Sequence, residues 1–194
     1  MIERVKLSEV CRIVGGSTPD STNPNFWNGD IVWITPTDLG KLDTKEIRTS
    51  ERMISEAGFK SCSTEIVPAG SVILSTRAPI GHLGLALAPL CTNQGCKAIV
   101  PGPKVDSIFL YFQLLSSVAK LQELGSGATF TELPKSKLES FEIALPPLEE
   151  QKAIASRLSQ QFAAVDRARA AAEARLNAIN DLYSALMREA FRVK

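Results

Sequence analysis

The chain has few of the side chains from which catalytic and metal sites are built. Its 194 residues include one histidine, His82, and four cysteines, none of which are spaced as a Cys-x-x-Cys pair. This pattern lacks the ligand spacing of a zinc site, and a histidine-based catalytic triad could be built only on His82. The P-loop, Gly-x-Gly-x-x-Gly and Gly-x-Ser-x-Gly motifs are missing as well. We therefore expect a noncatalytic protein without a bound metal and with reduced, mostly buried cysteines.

Long apolar segments and a strong net charge are also missing. No run approaches the roughly 20 apolar residues of a membrane span, and the N-terminus lacks the apolar core of a secretory signal. We expect a cytoplasmic protein that does not enter a membrane. Residues 1–146 carry 14 Lys and Arg against 15 Asp and Glu, and residues 147–194 carry 8 against 6. Neither part has the basic excess of a nonspecific nucleic-acid binder, so a nucleic-acid partner would require positive charge concentrated on one face.

The sequence does contain a long helical pattern that begins at Pro147. Proline suits the first helical position, and Glu149 and Glu150 complement the helix dipole in the first turn. Apolar residues then recur at alternating steps of three and four, which is the pattern of a coiled-coil seam that packs against another helix. The central and C-terminal seam positions are Leu158, Phe162, Val165, Arg169, Ala172, Leu176, Ile179, Tyr183 and Leu186. Arg169 has two interpretations: a buried polar residue that fixes the register, or a solvated side chain at the edge of the seam.

The rest of the chain has the pattern of a mixed α and β (α+β) globular domain. We therefore predict a domain at 1–146, followed by a long C-terminal coiled-coil α-helix at 147–194. Short apolar runs between turns predict strands at 31–34, 71–75, 83–88, 98–100 and 141–145. Ser50 is predicted to cap one helix, and another is predicted at 107–124 with Asp106 as its N-cap. Clustered turn residues predict a polar loop at 15–30.

Six short segments follow one another in a recognisable order along the chain. They are Gly-Ser-Thr-Pro at 16–19, Trp-Asn-Gly-Asp-Ile-Val-Trp-Ile at 27–34, Val-Pro-Ala-Gly-Ser-Val-Ile-Leu-Ser at 67–75, Ile-Gly at 80–81, Thr-Asn-Gln-Gly at 92–95 and Leu-Pro-Pro-Leu-Glu-Glu-Gln at 145–151. With their spacing and the junction into a long helix, they resemble a target recognition domain of type I restriction-modification specificity subunits. The resemblance spans nearly the whole chain.

This resemblance implies a function in reading DNA. Specificity subunits recognise a DNA sequence and hold methyltransferase and restriction subunits over it, without a catalytic centre of their own. No cofactor is then expected on this chain, and S-adenosylmethionine and ATP are expected on the partner subunits. A full-length member carries two recognition domains, each followed by a long helix, whereas this sequence has one of each. It is therefore either a natural half-subunit or a fragment of a longer chain.

A homodimer through the C-terminal helix is the expected assembly, because so long an apolar seam would favour aggregation if it stayed exposed. Two copies related by twofold symmetry would read an inverted-repeat target with a nonspecific gap. The rival interpretation is that the seam packs against helices of the methyltransferase subunit. A second function class is a coiled-coil adaptor whose near-neutral head binds protein rather than DNA.

Candidate DNA-binding residues are polar and basic side chains in predicted loops, because such side chains contact base edges and phosphates. These candidates are Thr18, Asn25, Lys41, Lys45, Arg48, Thr76, Arg77, His82, Lys97, Ser126 and Thr129. Arg77 is the foremost candidate, since it follows a buried strand that would fix its position. For Arg77 the alternative is an ion pair with a nearby carboxylate, and for the other loops it is a solvated surface. The segment at 92–95 is interpreted as turn structure rather than as a base-reading element.

Overall fold

The computed structural model of the chain describes residues 3–77, 79–126 and 132–191. The chain divides into two compact units, the first ending at Ala153 and the second beginning at Ile154. The first unit contains strands and helices in mixed order, and the second unit is helical. The predicted fold class, mixed α and β with a long C-terminal helix, is confirmed.

The strands and helices are numbered in chain order. The described strands are β1 (Arg4–Lys6), β2 (Cys11–Gly15), β3 (Trp27–Ile34), β4 (Glu46–Ile47), β5 (Met53–Ile54), β6 (Val72–Ser75), β7 (Leu83–Ala86), β8 (Cys91–Thr92), β9 (Cys96–Pro101) and β10 (Glu142–Ala144). The described helices are α1 (Leu7–Val10), α2 (Pro36–Gly40), α3 (Glu56–Lys60), α4 (Ser107–Ser116), α5 (Val118–Glu123), α6 (Lys135–Glu139) and α7 (Leu148–Ala190). A short 3-10 turn covers Pro24–Phe26.

A five-stranded sheet in the order β2-β9-β6-β7-β4 forms the centre of the first unit. Adjacent strands of this sheet pair antiparallel, except that β4 pairs parallel with β7. Every residue of β6 is buried, and α4 packs against β6 and β7. Ile73 of β6 also belongs to a core cluster with Ile34 of β3, Leu39 of α2 and Ile47 of β4. Since successive strand side chains point to opposite faces, this coverage explains why β6 is apolar along its length.

Two smaller sheets complete the first unit. Strand β3 pairs antiparallel with β5 and parallel with β8, and this sheet buries Trp27, Trp33, Ile54 and Cys91 in a second cluster. Strands β1 and β10 form a separate antiparallel pair with Val5 opposite Ile143. The chain just before α7 is therefore paired with the chain near the N-terminus.

The helix start predicted at Ser50 was wrong. Ser50 does not cap a helix: its hydroxyl accepts from the Trp33 N–H (3.1 Å), and Met53 pairs opposite Val32 in β5. The helix begins six residues later, capped by Ser55, whose hydroxyl accepts from the Gly58 N–H (3.1 Å). Strand pairing has overridden a cap-like sequence that carries only local information.

The predicted polar loop at 15–30 is interrupted by regular structure at both ends. Strand β2 continues to Gly15, and β3 begins at Trp27 rather than at Ile31. The register of β3 shifts between Trp27 and Ile31, and Asn28 has a positive φ of 60°. Asparagine tolerates that conformation better than most residues, which suits it to a bulge.

The helix predicted at 107–124 is present but broken. It consists of α4 and α5, which are separated at Ser117. Its predicted N-cap is confirmed, because the Asp106 carboxylate accepts from the Phe109 N–H at 2.8 Å.

Helix α7 begins at Leu148, directly after Pro147, and runs for 43 residues. At about 1.5 Å per residue it is roughly 65 Å long. The large apolar seam residues from Phe162 to Leu186 are 46% to 66% exposed in the single chain. Arg169 is exposed and pairs with Glu173 one turn away at 3.0 Å, so in the single chain it is a solvated side chain. Among the described residues, no helix is apolar enough over a sufficient length to cross a membrane.

Candidate functional site

A tight turn at residues 92–95 leads from β8 into β9 and contacts two neighbouring segments. The Asn93 N–H donates to the Ile34 carbonyl (2.9 Å), and the Asn93 side chain accepts from the Gly95 N–H (2.9 Å). Both the N–H and the hydroxyl of Thr76 donate to the Gly95 carbonyl, at 2.8 and 3.2 Å. These bonds fix the chain where β6 ends, immediately before Arg77. The interpretation of this segment as a turn is confirmed.

The loop that follows β2 rests on the same turn. The Ser17 N–H donates to the Thr92 carbonyl (3.1 Å), and the Thr18 hydroxyl donates to the side-chain oxygen of Gln94. A Cβ atom on Gly16 would lie 2.1 Å from the Thr92 carbonyl oxygen, so this close approach requires glycine. Thr18 is thereby brought beside β9, from which it is separated by more than 70 residues in sequence.

Two tryptophans hold the remainder of this loop. The indole N–H of Trp33 donates to the Ser17 carbonyl (2.9 Å), and that of Trp27 donates to the Asp20 carbonyl (3.2 Å). The two rings meet edge to face with centroids 5.2 Å apart. The guanidinium of Arg52 lies 3.5 Å from the Trp27 ring centroid, a cation–π contact that holds an exposed positive charge in place.

Four polar residues meet beside the turn, and we call Arg77, Lys97, Ser126 and Glu132 the Glu132 cluster. The Arg77 Nε donates to Glu132 Oε2 at 2.9 Å, and the Lys97 Nζ lies 3.9 Å from Glu132 Oε1. The backbones of Ser126 and Glu132 exchange two hydrogen bonds, of 2.9 and 3.0 Å. Lys97 also donates to the Gln94 carbonyl at 3.4 Å, which links the cluster to the turn.

The charges of the cluster are two cations around one carboxylate. The Lys97 side chain is 12% exposed, and this burial lowers the pKa of its ammonium group. The Glu132 carboxylate acts in the opposite direction and favours the charged lysine. Arg77 is 47% exposed, so it is the cation of this cluster that solvent and a ligand reach most easily.

The other predicted DNA-binding residues lie in different surroundings. Lys41 pairs with Glu51 and Arg48 with Glu46, both on the surface. The His82 ring lies 3.4 Å from the Pro36 carbonyl, next to Gly40, and the Lys45 carbonyl accepts from the Leu85 N–H. The structure therefore links Arg77, Lys97 and Ser126 through Glu132 and bonds Thr18 to the adjacent turn, whereas Lys41 and Arg48 pair with other carboxylates.

Of the three remaining predicted residues, one is buried, one is exposed and one lies outside the described residues. The Thr76 side chain is fully buried and supports the turn through its bond to Gly95. Asn25 is exposed, and its carbonyl accepts from the Ser55 hydroxyl at 2.6 Å. Thr129 lies outside the described residues.

Two charged residues of this region were not predicted from the sequence. Glu132 belongs to the cluster through a contact 55 residues away in sequence, and no local pattern announces it. Arg52 could have been suspected from the nearby tryptophans, but the contact depends on the pairing of β3 with β5.

The cysteines behave as buried thiols in this structure. Cys11, Cys91 and Cys96 are buried, and Cys62 is partly exposed. Burial raises the pKa of Cys11 and of Cys91 to about 11, and it raises that of Cys96 further. Among the described residues, no three His, Cys, Asp or Glu side chains come together as a metal site would require.

Comparison with protein families gives a match over most of the chain. The model of the type I restriction modification DNA specificity domain matches residues 2–177. The MjaIX specificity subunit of Methanocaldococcus jannaschii, a type I restriction enzyme subunit, is 41% identical over 156 residues, which is 79% of this chain. The EcoR124I/EcoR124II specificity subunit of Escherichia coli is 30% identical over 160 residues, again 79% of this chain.

Comparison with solved structures also gives matches over most of the chain. A chain from work on the assembly and conformational transition of a type I R-M system has a TM-score of 0.72 at 29% identity and is matched by 91% of this chain. The HsdS subunit from Thermoanaerobacter tengcongensis has a TM-score of 0.66 at 27% identity, matched by 86% of this chain. The chain spans only 36% to 43% of the lengths of these relatives.

Proposed function

This chain belongs to the type I restriction-modification DNA specificity family, and we propose that its first unit reads a sequence in double-stranded DNA. The proposal depends mainly on Arg77, which follows a buried strand and meets Lys97 and Ser126 around Glu132, next to the turn that Thr18 bonds. Side chains that discriminate bases must be held by a rigid frame, and here the frame is β6 together with the turn at 92–95.

The geometry of Arg77 suits base reading. Its bond to Glu132 uses Nε, whereas bidentate reading of guanine O6 and N7 can be made by the two terminal guanidinium nitrogens. The pair with Glu132 was the alternative to DNA binding at the sequence level, but the two contacts are compatible. Lys97, Thr18 and Ser126 are suited to phosphate contacts that set the position of the protein on the duplex.

The test begins with a selection of bound duplexes from a random library, followed by fluorescence anisotropy on the recovered site. We expect Arg77→Ala to weaken binding to that site by about 1 to 3 kcal/mol. Arg12→Ala is the matched control, because Arg12 is also an exposed arginine paired with a glutamate, Glu65, but lies in β2 opposite Val100. Equal affinities of the two variants for the selected site would remove Arg77 from the interface.

A salt titration distinguishes DNA recognition from the adaptor alternative. Neutralising phosphates with Lys and Arg releases counterions, so the logarithm of the binding constant falls linearly with the logarithm of the salt concentration. An adaptor whose head binds protein would have no DNA affinity to lose. Arg77, Lys97 and Arg52 together predict a slope of about −2 to −3 for one copy of the chain.

For the second unit, we propose that the seam of α7 packs against the same seam of a second copy. The large apolar residues of the seam from Phe162 to Leu186 are exposed in the single chain, and a twofold pair would bury them. Each dimer would then carry two recognition units, and its preferred target would be an inverted repeat with a gap. A stable monomer in light scattering at micromolar concentration, without other subunits, would contradict this assembly.

The partners we propose are the methyltransferase and restriction subunits, which would bind S-adenosylmethionine and ATP and carry out the chemistry. Co-expression of the chain with the methyltransferase subunit, followed by sequencing of the methylated bases, tests this step. A methylated motif that depends on this chain and changes with Arg77→Ala would support both the partner and the reading residue. Methylation that is independent of the chain would refute it.

A further inference from the structure

The Glu132 carboxylate lies between the two cations that we assign to DNA contact. One oxygen accepts from Arg77 Nε at 2.9 Å, and the other lies 3.9 Å from Lys97 Nζ. Its side chain is 33% exposed, so the carboxylate is at the surface that DNA would approach. A negative group with two acceptor oxygens beside two cations occupies the role that a DNA phosphate would otherwise take.

The backbone holds this carboxylate in position. The Glu132 N–H donates to the Ser126 carbonyl and its own carbonyl accepts from the Ser126 N–H. The next residue, Leu133, is fully buried and donates to the Thr76 carbonyl at 2.9 Å. The backbone at Glu132 is therefore bonded to the same strand end that carries Arg77. These backbone bonds hold the two side chains within ion-pair distance of each other.

We propose that Glu132 is a specificity-determining residue that competes with the DNA backbone for Arg77 and Lys97. This inference rests on the proposed function. On non-target DNA the cations can gain only phosphate contacts, and the Glu132 carboxylate beside both cations repels a phosphate that approaches either of them. On the target, the terminal nitrogens of Arg77 gain base contacts that the Nε bond to Glu132 does not block. Glu132 thus weakens non-target binding more than target binding, and it also holds Arg77 ready for the base.

The test compares Glu132→Gln with the wild-type chain on the duplex recovered by selection and on a shuffled duplex. Glutamine keeps the shape and the backbone bonds but removes the charge. We expect affinity for the shuffled duplex to rise about tenfold near 0.1 M salt, with a salt slope steeper by about 0.9, because one more phosphate contact becomes available. Affinity for the selected duplex should change by less than about threefold, so discrimination falls.

The matched control is Glu142→Gln. Glu142 is also a surface glutamate paired with an arginine, Arg4, but it lies in the β1–β10 sheet. It changes the net charge by the same amount, so a general electrostatic effect would appear in both variants. Glu132→Asp keeps the charge on a shorter side chain and should retain most of the discrimination. Thermal melting monitored by tryptophan fluorescence verifies that each variant is folded.

The outcomes separate this inference from the proposed function. Wild-type discrimination between the duplexes that is lost in Arg77→Ala supports the site, whatever Glu132 does. If Glu132→Gln and Glu142→Gln then have the same affinities and slopes, competition by Glu132 is refuted. A loss of target affinity in Glu132→Gln, with non-target affinity unchanged, would also refute it and would indicate that Glu132 reads a base directly. Absence of wild-type binding to any duplex would refute the proposed function itself.

Discussion

Gln151 is the residue whose replacement tests most directly how the first turn of α7 is held within the first unit. Its side chain is fully buried and makes three hydrogen bonds. The carbonyl oxygen accepts from the Asp106 N–H (2.9 Å), and the amide donates to the carbonyls of Lys104 (3.0 Å) and Pro146 (2.8 Å). One glutamine thus connects α7, the N-cap of α4 and the segment that follows β10.

The expected cost of Gln151→Ala follows from these bonds. Each contributes about 1 kcal/mol net, and the partner at Pro146 is a buried carbonyl that water replaces poorly. We therefore expect the free energy of unfolding of the first unit to fall by about 3 kcal/mol. For a domain of this size that corresponds to a decrease in Tm of roughly 6 to 12 °C.

Tryptophan fluorescence during urea or thermal unfolding is the appropriate assay. Trp27 and Trp33 are both buried in the first unit, so their emission reports that unit without the signal of the long helix. Lys152→Ala is the control, since Lys152 is the next residue along the helix and its exposed side chain makes a surface pair with Glu149. It should cost less than about 0.5 kcal/mol.

A Gln151→Ala variant whose free energy of unfolding falls by less than about 1 kcal/mol, or by no more than that of Lys152→Ala, would contradict this expectation. That result would mean that water or a shifted backbone satisfies all three partners. The protein concentration must be the same in all samples, because association of the helix would otherwise add to the measured stability.

Two further predictions concern the helix and the cysteines. Replacing the seam residues Leu176 and Ile179 by glutamate should convert a dimer into a monomer in sedimentation experiments, whereas Ala174→Glu, on the opposite side of the heptad, should leave the dimer intact. Burial raises the pKa of Cys91 to about 11, so between pH 9 and 11 the folded state keeps a proton that the unfolded chain has lost. The free energy of unfolding should therefore fall with rising pH, by about 1.4 kcal/mol per pH unit for this thiol. Urea titrations at several pH values measure this dependence, and in Cys91→Ala the fall per pH unit should be smaller by about that amount.

Features determined by nearby residues could be predicted from the sequence. The Asp106 cap requires only an acidic side chain three residues before the N–H that it accepts from, and the start of α7 follows from proline and two glutamates in one turn. Helix α7 also has a heptad pattern over many turns, which no short-range feature contradicts. These elements were recovered because their stabilising interactions lie within a few residues of one another.

Features determined by pairing could not be predicted in the same way. Ser50 and Ser55 both precede a glutamate, yet only Ser55 caps a helix. The difference is that Met53 and Ile54 complete a strand beside β3, so the chain after Ser50 is extended. A helix N-cap signal therefore predicts a helix only where the residues after it do not pair with a neighbouring strand.

The same distinction explains why the frame of the candidate site was easier to predict than its reading residues. The turn at 92–95 uses asparagine and glycine for its own geometry, and it holds Thr76 and Ser17 through their backbones. Side chains at Thr18, Arg77 and Glu132 project from segments that this frame fixes, but the contacts of Thr18 with Gln94 and of Arg77 with Glu132 span 50 residues or more. A change of side chain at these positions would alter the pattern of donors and acceptors without altering the backbone bonds that hold the site. If Arg77 and Glu132 act on DNA as proposed, substitution at these two positions should change the target sequence while the fold is retained.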